Sequence, residues 1–267
     1  MTARSAKAFK IGRLPGFGLW TFLVFIYLYA PLIILVIFSF NNSRTVTIWR
    51  GFTWDWYLRL FANEDIRQAA LNSLMVATVA TVVATIIATL AALVMVRGGP
   101  FRAKGLVSAF IMTPLMIPEI VTAVATLAFF AALGISWGLG NIILAHCVFC
   151  IPFAYLPIQA RLRSLDEGLE QAAQDLYANL WQTFRHITFP LILPGIIAGA
   201  MLAFIVSIDD FIITLMVAEA GSTTLPLYIY GLVRVGVTPE VNAISSLMLL
   251  ISVLFVILSS LIGQRRT

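Results

Sequence analysis

The chain has 267 residues, 61% of them hydrophobic and only 11% charged, against roughly a quarter charged in soluble domains. A lipid environment is therefore the default reading, and the two cysteines, Cys147 and Cys150, lie in one apolar run that outlines no disulfide framework. The formal charge of +5 is spread over short polar segments and forms no basic tract, which argues against nucleic acid as a partner.

Arg4, Lys7, Lys10 and Arg13 precede the first apolar run, 19–40. At about 22 residues it exceeds the roughly 7–15 of a signal h-region, and no small-x-small cleavage site closes it, so it is expected to remain as a membrane span. Crossing the hydrocarbon takes about 20 apolar residues, and five more runs qualify: 69–96, 106–133, 140–160, 190–217 and 242–262. The expected fold is an all-α membrane protein of six transmembrane helices: an N-terminal tail over 1–18, a membrane domain over 19–262 and a tail over 263–267. With the N-terminus inside, twelve of the seventeen Lys and Arg residues fall on the cytoplasmic side, leaving Arg44, Arg50, Arg59, Arg67 and Arg234 outside. That bias predicts both termini in the cytoplasm.

Span two carries Ala77, Ala80, Ala84, Ala88 and Ala91 beside Thr78, Thr81, Thr85 and Thr89, a small-residue face suited to close helix packing. Span three holds Glu119 directly after Pro118 and five residues after Pro114, and the missing backbone donors and kinks of these prolines suit a helix lining a cavity. In span four, His146, Cys147 and Cys150 read as a hydrogen-bonded neutral histidine and two packing thiols, with no metal site expected.

A polar segment of about 28 residues, 161–188, follows. Ser164-Leu165-Asp166-Glu167 fits a capping box that would start a helix, with Leu165, Leu169, Ala172, Ala173 and Leu176 as its apolar face. Asn179 is placed to cap a second short helix bearing Leu180, Phe184 and Ile187, and Pro190 opens span five. The two helices form a knob at the cytoplasmic mouth.

Span five repeats the small stripe with Gly195, Gly199, Ala203 and Ser207. Asp210, three residues on, is expected to point inward, while Asp209 turns about 100° away, toward a neighbouring subunit or the pore wall. Acids at this depth cost about 2.5–3.5 kcal/mol on insertion scales and are functional candidates. No Lys or Arg lies at the depth of Glu119, Asp209 and Asp210. A cationic cargo could neutralise them, with Phe211, Phe129 and Phe130 adding cation–π contact. Alternatively the acids are protonated or bonded to Ser207, Thr113, Thr122 or Thr214 and only hold helices together. The outer segment 219–242 reads as a short interfacial helix that touches a partner, closes a gate or merely covers the bundle.

Glu170-Gln171-Ala172-Ala173-Gln174-Asp175-Leu176, Trp181-Gln182-Thr183-Phe184 and Ile187-Thr188-Phe189-Pro190 resemble the EAA loop of ABC-importer permeases. In that resemblance, Glu170, Gln171, Ala172, Ala173, Asp175, Leu176, Tyr177, Ile187 and Pro190, within a coupling segment over 164–190, face a cleft of the ATPase. The chain departs from the pattern in having Gln171 for Glu with the acid displaced to Glu170, Tyr177 for Gly, and Phe189 for Leu. A left-handed cap at Tyr177 would cost about 1 kcal/mol.

Ser207-Ile208-Asp209-Asp210, Thr223-Thr224-Leu225-Pro226, the stretch 234–243, Phe52-Thr53-Trp54-Asp55-Trp56-Tyr57 and Asn72-Ser73-Leu74 are in turn similar to the second permease of putrescine/spermidine importers. That resemblance implies a type I permease bundle in a bacterial inner membrane. It also implies as partners a homologous permease, an ATPase dimer and a periplasmic polyamine-binding protein, with a cargo path past Glu119, Asp209, Asp210 and Phe211. No Gly-Lys pair occurs in the chain, so a Walker A loop is excluded. No cofactor is expected in this chain, ATP and Mg being bound by the partner ATPase.

Three other readings compete. An ion-coupled secondary transporter would show internal repeats and no docking knob. A membrane enzyme would need more than His146 and His186. An ABC permease for an amino acid or an iron complex keeps the architecture and changes only the cargo.

Overall fold

The computed structural model describes residues 17–43 and 48–264, with the side chains of 17 and 258–264 excepted. The tails and Arg4, Lys7, Lys10, Arg13, Arg44, Arg265 and Arg266, on which part of the orientation argument rests, lie outside the described residues.

The described chain is helical almost throughout. Its helices are α1 (Phe17–Phe38), α2 (Asp55–Ala62), α3 (Glu64–Arg97), α4 (Lys104–Met116), α5 (Glu119–Leu133), α6 (Leu139–Ser164), α7 (Gly168–Asp175), α8 (Leu180–Thr183), α9 (Phe189–Asp209), α10 (Ile212–Val217), α11 (Leu225–Val235) and α12 (Pro239–Gln264). A π-helical turn, Phe184–Thr188, joins α8 to α9.

Among the described residues five stretches are long and apolar enough to cross a membrane, and the pair α4 and α5 makes a sixth if counted as one span. That pair is bent by 108°, so the span expected as one kinked helix over 106–133 is broken. Ile117 is extended, Pro118 lacks an amide hydrogen and disfavours a helical residue before it, and the chain restarts at Glu119. Span five is broken too: α9 ends at Asp209, Asp210 is extended with ψ 132°, and α10 follows. Helix α3 runs 34 residues, about 51 Å at 1.5 Å per residue, and so projects beyond the roughly 30 Å of hydrocarbon.

The core is the packing of α3, α6 and α9 on one another. Ala77, Ala80, Ala84 and Ala88 are fully buried; Ala91 is only partly buried, with Ala92 taking the inner position. On α9, Gly195, Gly199, Ala203 and Ser207 are all buried. A Cβ on Gly199 would stand 2.5 Å from the carbonyl oxygen of Ala154, and one on Gly195 would stand 2.6 Å from Cβ of Arg161. The small-residue stripe is therefore what lets α9 lie against α6. Helix α1 packs against α12 and leaves nearly all its apolar surface outward.

Candidate functional site

The two helix breaks meet. Helix α10 packs against α5, which brings Glu119, the first residue of α5, near Asp210, at the break before α10. Two carboxyl groups this close repel unless a proton or a cation lies between them. Asp210 is 6% exposed. Its Oδ2 accepts from the amide and the hydroxyl of Thr214, both at 3.0 Å, and its Oδ1 accepts from the amide of Ile213 at 3.4 Å. Asp210 thus points inward as its place on the stripe predicts, and it caps α10.

The partner missed by the sequence reading is His146. Its Nε2 lies 3.1 Å from both Asp210 Oδ2 and Thr214 Oγ1, and its Nδ1 lies 2.8 Å from Ser207 Oγ. A ring protonated on Nε2 donates to the carboxylate and accepts the Ser207 proton on Nδ1, which satisfies every atom of the cluster. No Lys or Arg lies at this depth to balance the acids, and the signal in the sequence for a partner is the histidine on an apolar face of span four. Cys150 donates weakly to the carbonyl of Ala203, 3.5 Å away, and has a packing role. Among the described residues no three His, Cys, Asp or Glu side chains converge as metal ligands.

Asp209 is exposed on the outside of α9. The aromatic residues do not gather around the acids. Phe211 packs against Tyr230 with the rings tilted by 45° and their centres 4.6 Å apart. Phe129 and Phe130 line a separate, mainly apolar chamber of about 580 Å³ between α4, α5 and α6, with Phe110, Thr122 and Phe149 in its wall. Neither Glu119 nor Asp210 lines that chamber. Thr113 and Thr126 bond back to carbonyls one turn earlier on their own helices, so Thr113 does not serve the acids as the alternative reading had it.

At one end of the bundle, motif pieces far apart in sequence come together. Asn72 Nδ2 donates to the carbonyl of Thr223 at 2.9 Å, and Ser73 Oγ accepts from the amide of Leu225 at 2.7 Å. Trp56, Tyr57, Leu225 and Tyr228 pack on the cluster of Leu60, Ile66, Ala243 and Ile244. Glu219 ties this layer to the α5–α6 turn through Ser136 Oγ, the amide of Gly138 and Asn141 Nδ2, at 2.9–3.0 Å.

On the opposite end, the knob forms with a different first cap. Ser164 still belongs to α6, its hydroxyl bonded to the carbonyl of Arg161 at 2.7 Å, and Asp166 accepts from the amide of Gly168 at 2.9 Å. The capping box expected at Ser164 is absent because α6 runs through Arg161 and Arg163, whose charges suit a helix C-terminus. The box appears instead at Asn179: its Oδ1 accepts from the Gln182 amide at 2.8 Å, and its amide donates to Gln182 Oε1 at 2.9 Å. Tyr177 adopts φ +63°, the left-handed cap expected there.

Gln171, Ala172, Asp175, Leu176 and Tyr177 are exposed, as is Pro190, while Ala173 and Ile187 are half-buried. Ala173, Leu176, Tyr177, Gln182, His186 and Ile187 line a cup of about 420 Å³. Glu170 turns inward instead: its Oε2 meets Arg97 Nε at 3.0 Å and its Oε1 accepts from Thr188 Oγ1 at 2.8 Å.

Residues 84–266 match the family of binding-protein-dependent transport system inner membrane components, and the chain belongs to that family. It is 42% identical over 244 residues, 91% of this chain and 95% of the relative, to the spermidine/putrescine transport system permease protein PotC of Haemophilus influenzae. It is also 42% identical over 231 residues, 84% of this chain and 82% of the relative, to the putrescine transport system permease protein PotI of Escherichia coli K12. Its fold is that of a chain of a bacterial ABC transporter that imports alginate, with TM-score 0.72 at 18% identity over 93% of this chain and 94% of the other. A chain of the MetNI methionine ABC transporter superposes with TM-score 0.64 at 21% identity, over 77% and 99%. The chain is thus a membrane permease of the ABC-importer type, with six spans once the bent pair is counted as one.

Proposed function

We propose that this chain is one permease subunit of an ATP-driven importer of polyamines in a bacterial inner membrane. The observation that carries this reading is the packing of α10 on α5, which sets Asp210 at one broken span near Glu119 at the other, two carboxyl groups that a diammonium cargo can neutralise. Relatives named for spermidine and putrescine, 40–42% identical along most of the chain, supply the cargo class.

In this reading a homologous permease completes the path, a periplasmic polyamine-binding protein delivers cargo to the layer around α2 and α11, and both termini are cytoplasmic. The exposed surface of Gln171, Ala172, Leu176 and Tyr177 docks one subunit of an ATPase dimer, which alone binds ATP and Mg. Ala173 and Ile187 shape the docking cup, and Asp209 and Phe211 flank the path beside Asp210.

The test is putrescine uptake into proteoliposomes holding the two permeases and the ATPase dimer, with the binding protein outside. Uptake is expected only with ATP at the ATPase and binding protein on the other face. Uptake driven by a proton or sodium gradient in the absence of the ATPase would overturn the reading.

A further inference from the structure

We propose that Arg97 is the positioning residue through which the cytoplasmic knob moves the membrane helices, by way of Glu170 and Thr188. The proposal rests on the reading that α7 docks on an ATPase. Helix α7 has eight residues, none of them buried, so apolar packing does not hold it to the bundle. A polar chain does. Arg97, the last residue of α3, spends three donors on the knob: Nε on Glu170 Oε2 at 3.0 Å, Nη1 on Glu167 Oε1 at 3.1 Å, and Nη2 on the carbonyl of Leu165 at 3.2 Å. Glu170 passes the connection on, since its other oxygen takes the hydroxyl proton of Thr188 at 2.8 Å.

The Arg97 and Glu170 side chains are only 16% and 19% exposed, so their attraction is less screened than that of a surface pair. A guanidinium that spends three donors in a fixed fork also holds direction as well as distance. Thr188 sits in the π-helical turn at the base of α9, a distortion of the kind found frequently at functional sites. From there α9 and α6 are locked together: Arg161 Nε donates to the carbonyl of Leu191 at 2.9 Å, and Gly195 lies against the Arg161 side chain. The far parts of these same two helices carry Asp210 and His146. A displacement of α7 therefore reaches α3 through Arg97 and the α6–α9 pair through Thr188, with Glu170 as the shared joint.

The experiment uses the full complex in proteoliposomes with binding protein and putrescine, and reads ATP hydrolysis and uptake together for Arg97→Gln, Glu170→Gln and the exchange Arg97→Glu with Glu170→Arg. Both single variants are expected to co-purify with the ATPase and hydrolyse ATP within about twofold of wild type, while uptake per ATP falls about tenfold, a typical coupling magnitude. The exchange is expected to recover at least about half of that ratio, because an ion pair again spans the joint. Wild-type uptake per ATP in Arg97→Gln would overturn the proposal. Loss of the ATPase from the complex, or an equal fall in hydrolysis and uptake, would also overturn it, showing a merely structural pair. If the wild-type complex itself shows no ATP-dependent uptake, the docking reading fails and the proposal falls with it.

Discussion

The Nε2 atom of His146 on α6 stands 3.1 Å from Oδ2 of Asp210 at the break between α9 and α10, and both side chains are 1% exposed. A carboxyl enclosed this far from water needs full satisfaction of its oxygens, and His146 supplies the bond that the short helix α10 cannot. In the proposed importer, an ammonium group of the cargo competes with the imidazole for the same carboxylate oxygen. In that reading the histidine holds Asp210 in place until cargo arrives.

Replacing His146 by Phe should leave Asp210 and Ser207 each one partner short. The expected cost is about 1–3 kcal/mol or more, the range for an orphaned buried polar or charged group. It would be measured as a lowered melting temperature of the purified protein. The pair His146→Phe with Asp210→Leu should recover part of the loss, because an apolar replacement of both partners removes the orphaned charge. A double variant no more stable than His146→Phe alone would contradict this account of the pair.

Glu119→Gln and Asp210→Asn should separate cargo handling from packing. A bond to a charged group contributes about 1.5–3 kcal/mol, so each change should lower putrescine uptake roughly ten- to hundredfold. Glu119 is only partly buried and carries no cap, so Glu119→Gln should leave thermal stability near wild type. Asp210 caps α10, so Asp210→Asn should lower stability as well. Unchanged uptake in both variants would leave these acids a purely structural role.

The membrane spans were legible because the bilayer imposes one length and one composition on every crossing, and the stripes on α3 and α9 were legible because helix period is regular. The two breaks were not. A hydropathy window averages over Ile117-Pro118 and over Asp210, whereas the backbone there is decided residue by residue. The inward face of Asp210 followed from its spacing after Ser207, but its bond to His146 joins distant parts of the chain and has no local signature. Glu170 was misplaced for the same reason. Read within its own segment it belongs to a docking face, and only the end of α3, which supplies Arg97, turns it inward.

The contact of α6 and α9 gives a sharp steric expectation. A Cβ at position 199 meets a backbone carbonyl at 2.5 Å, and backbone cannot swing aside as a side chain can. Gly199→Ala should therefore cost about 1–3 kcal/mol, the range for overpacking a tight interior. Gly231→Ala is the control, since nothing lies within 4 Å of a Cβ built there and the position is helical; it should be neutral or slightly stabilising. Equal melting temperatures for the two variants would mean that α9 stands off from α6 in the membrane.

Tyr177 combines a left-handed backbone, φ +63°, with a side chain 97% exposed, so strain is retained where none of the described residues encloses the ring. A non-glycine residue in this conformation costs about 1–2 kcal/mol, and the added freedom of glycine in the unfolded chain returns part of that. Tyr177→Gly should therefore steady the knob by about 0.5–1 kcal/mol net, read as severalfold slower hydrogen exchange of amides in 168–188. The same change removes an aromatic group from the proposed docking face, where buried aromatic anchors contribute most. Association with the ATPase should weaken by about 1–2 kcal/mol, or roughly 5–30-fold. Opposite signs in the two measurements are the expected result, the strained backbone being kept for the sake of the ring. Slower exchange with unchanged association would place the Tyr177 ring outside the contact with the ATPase.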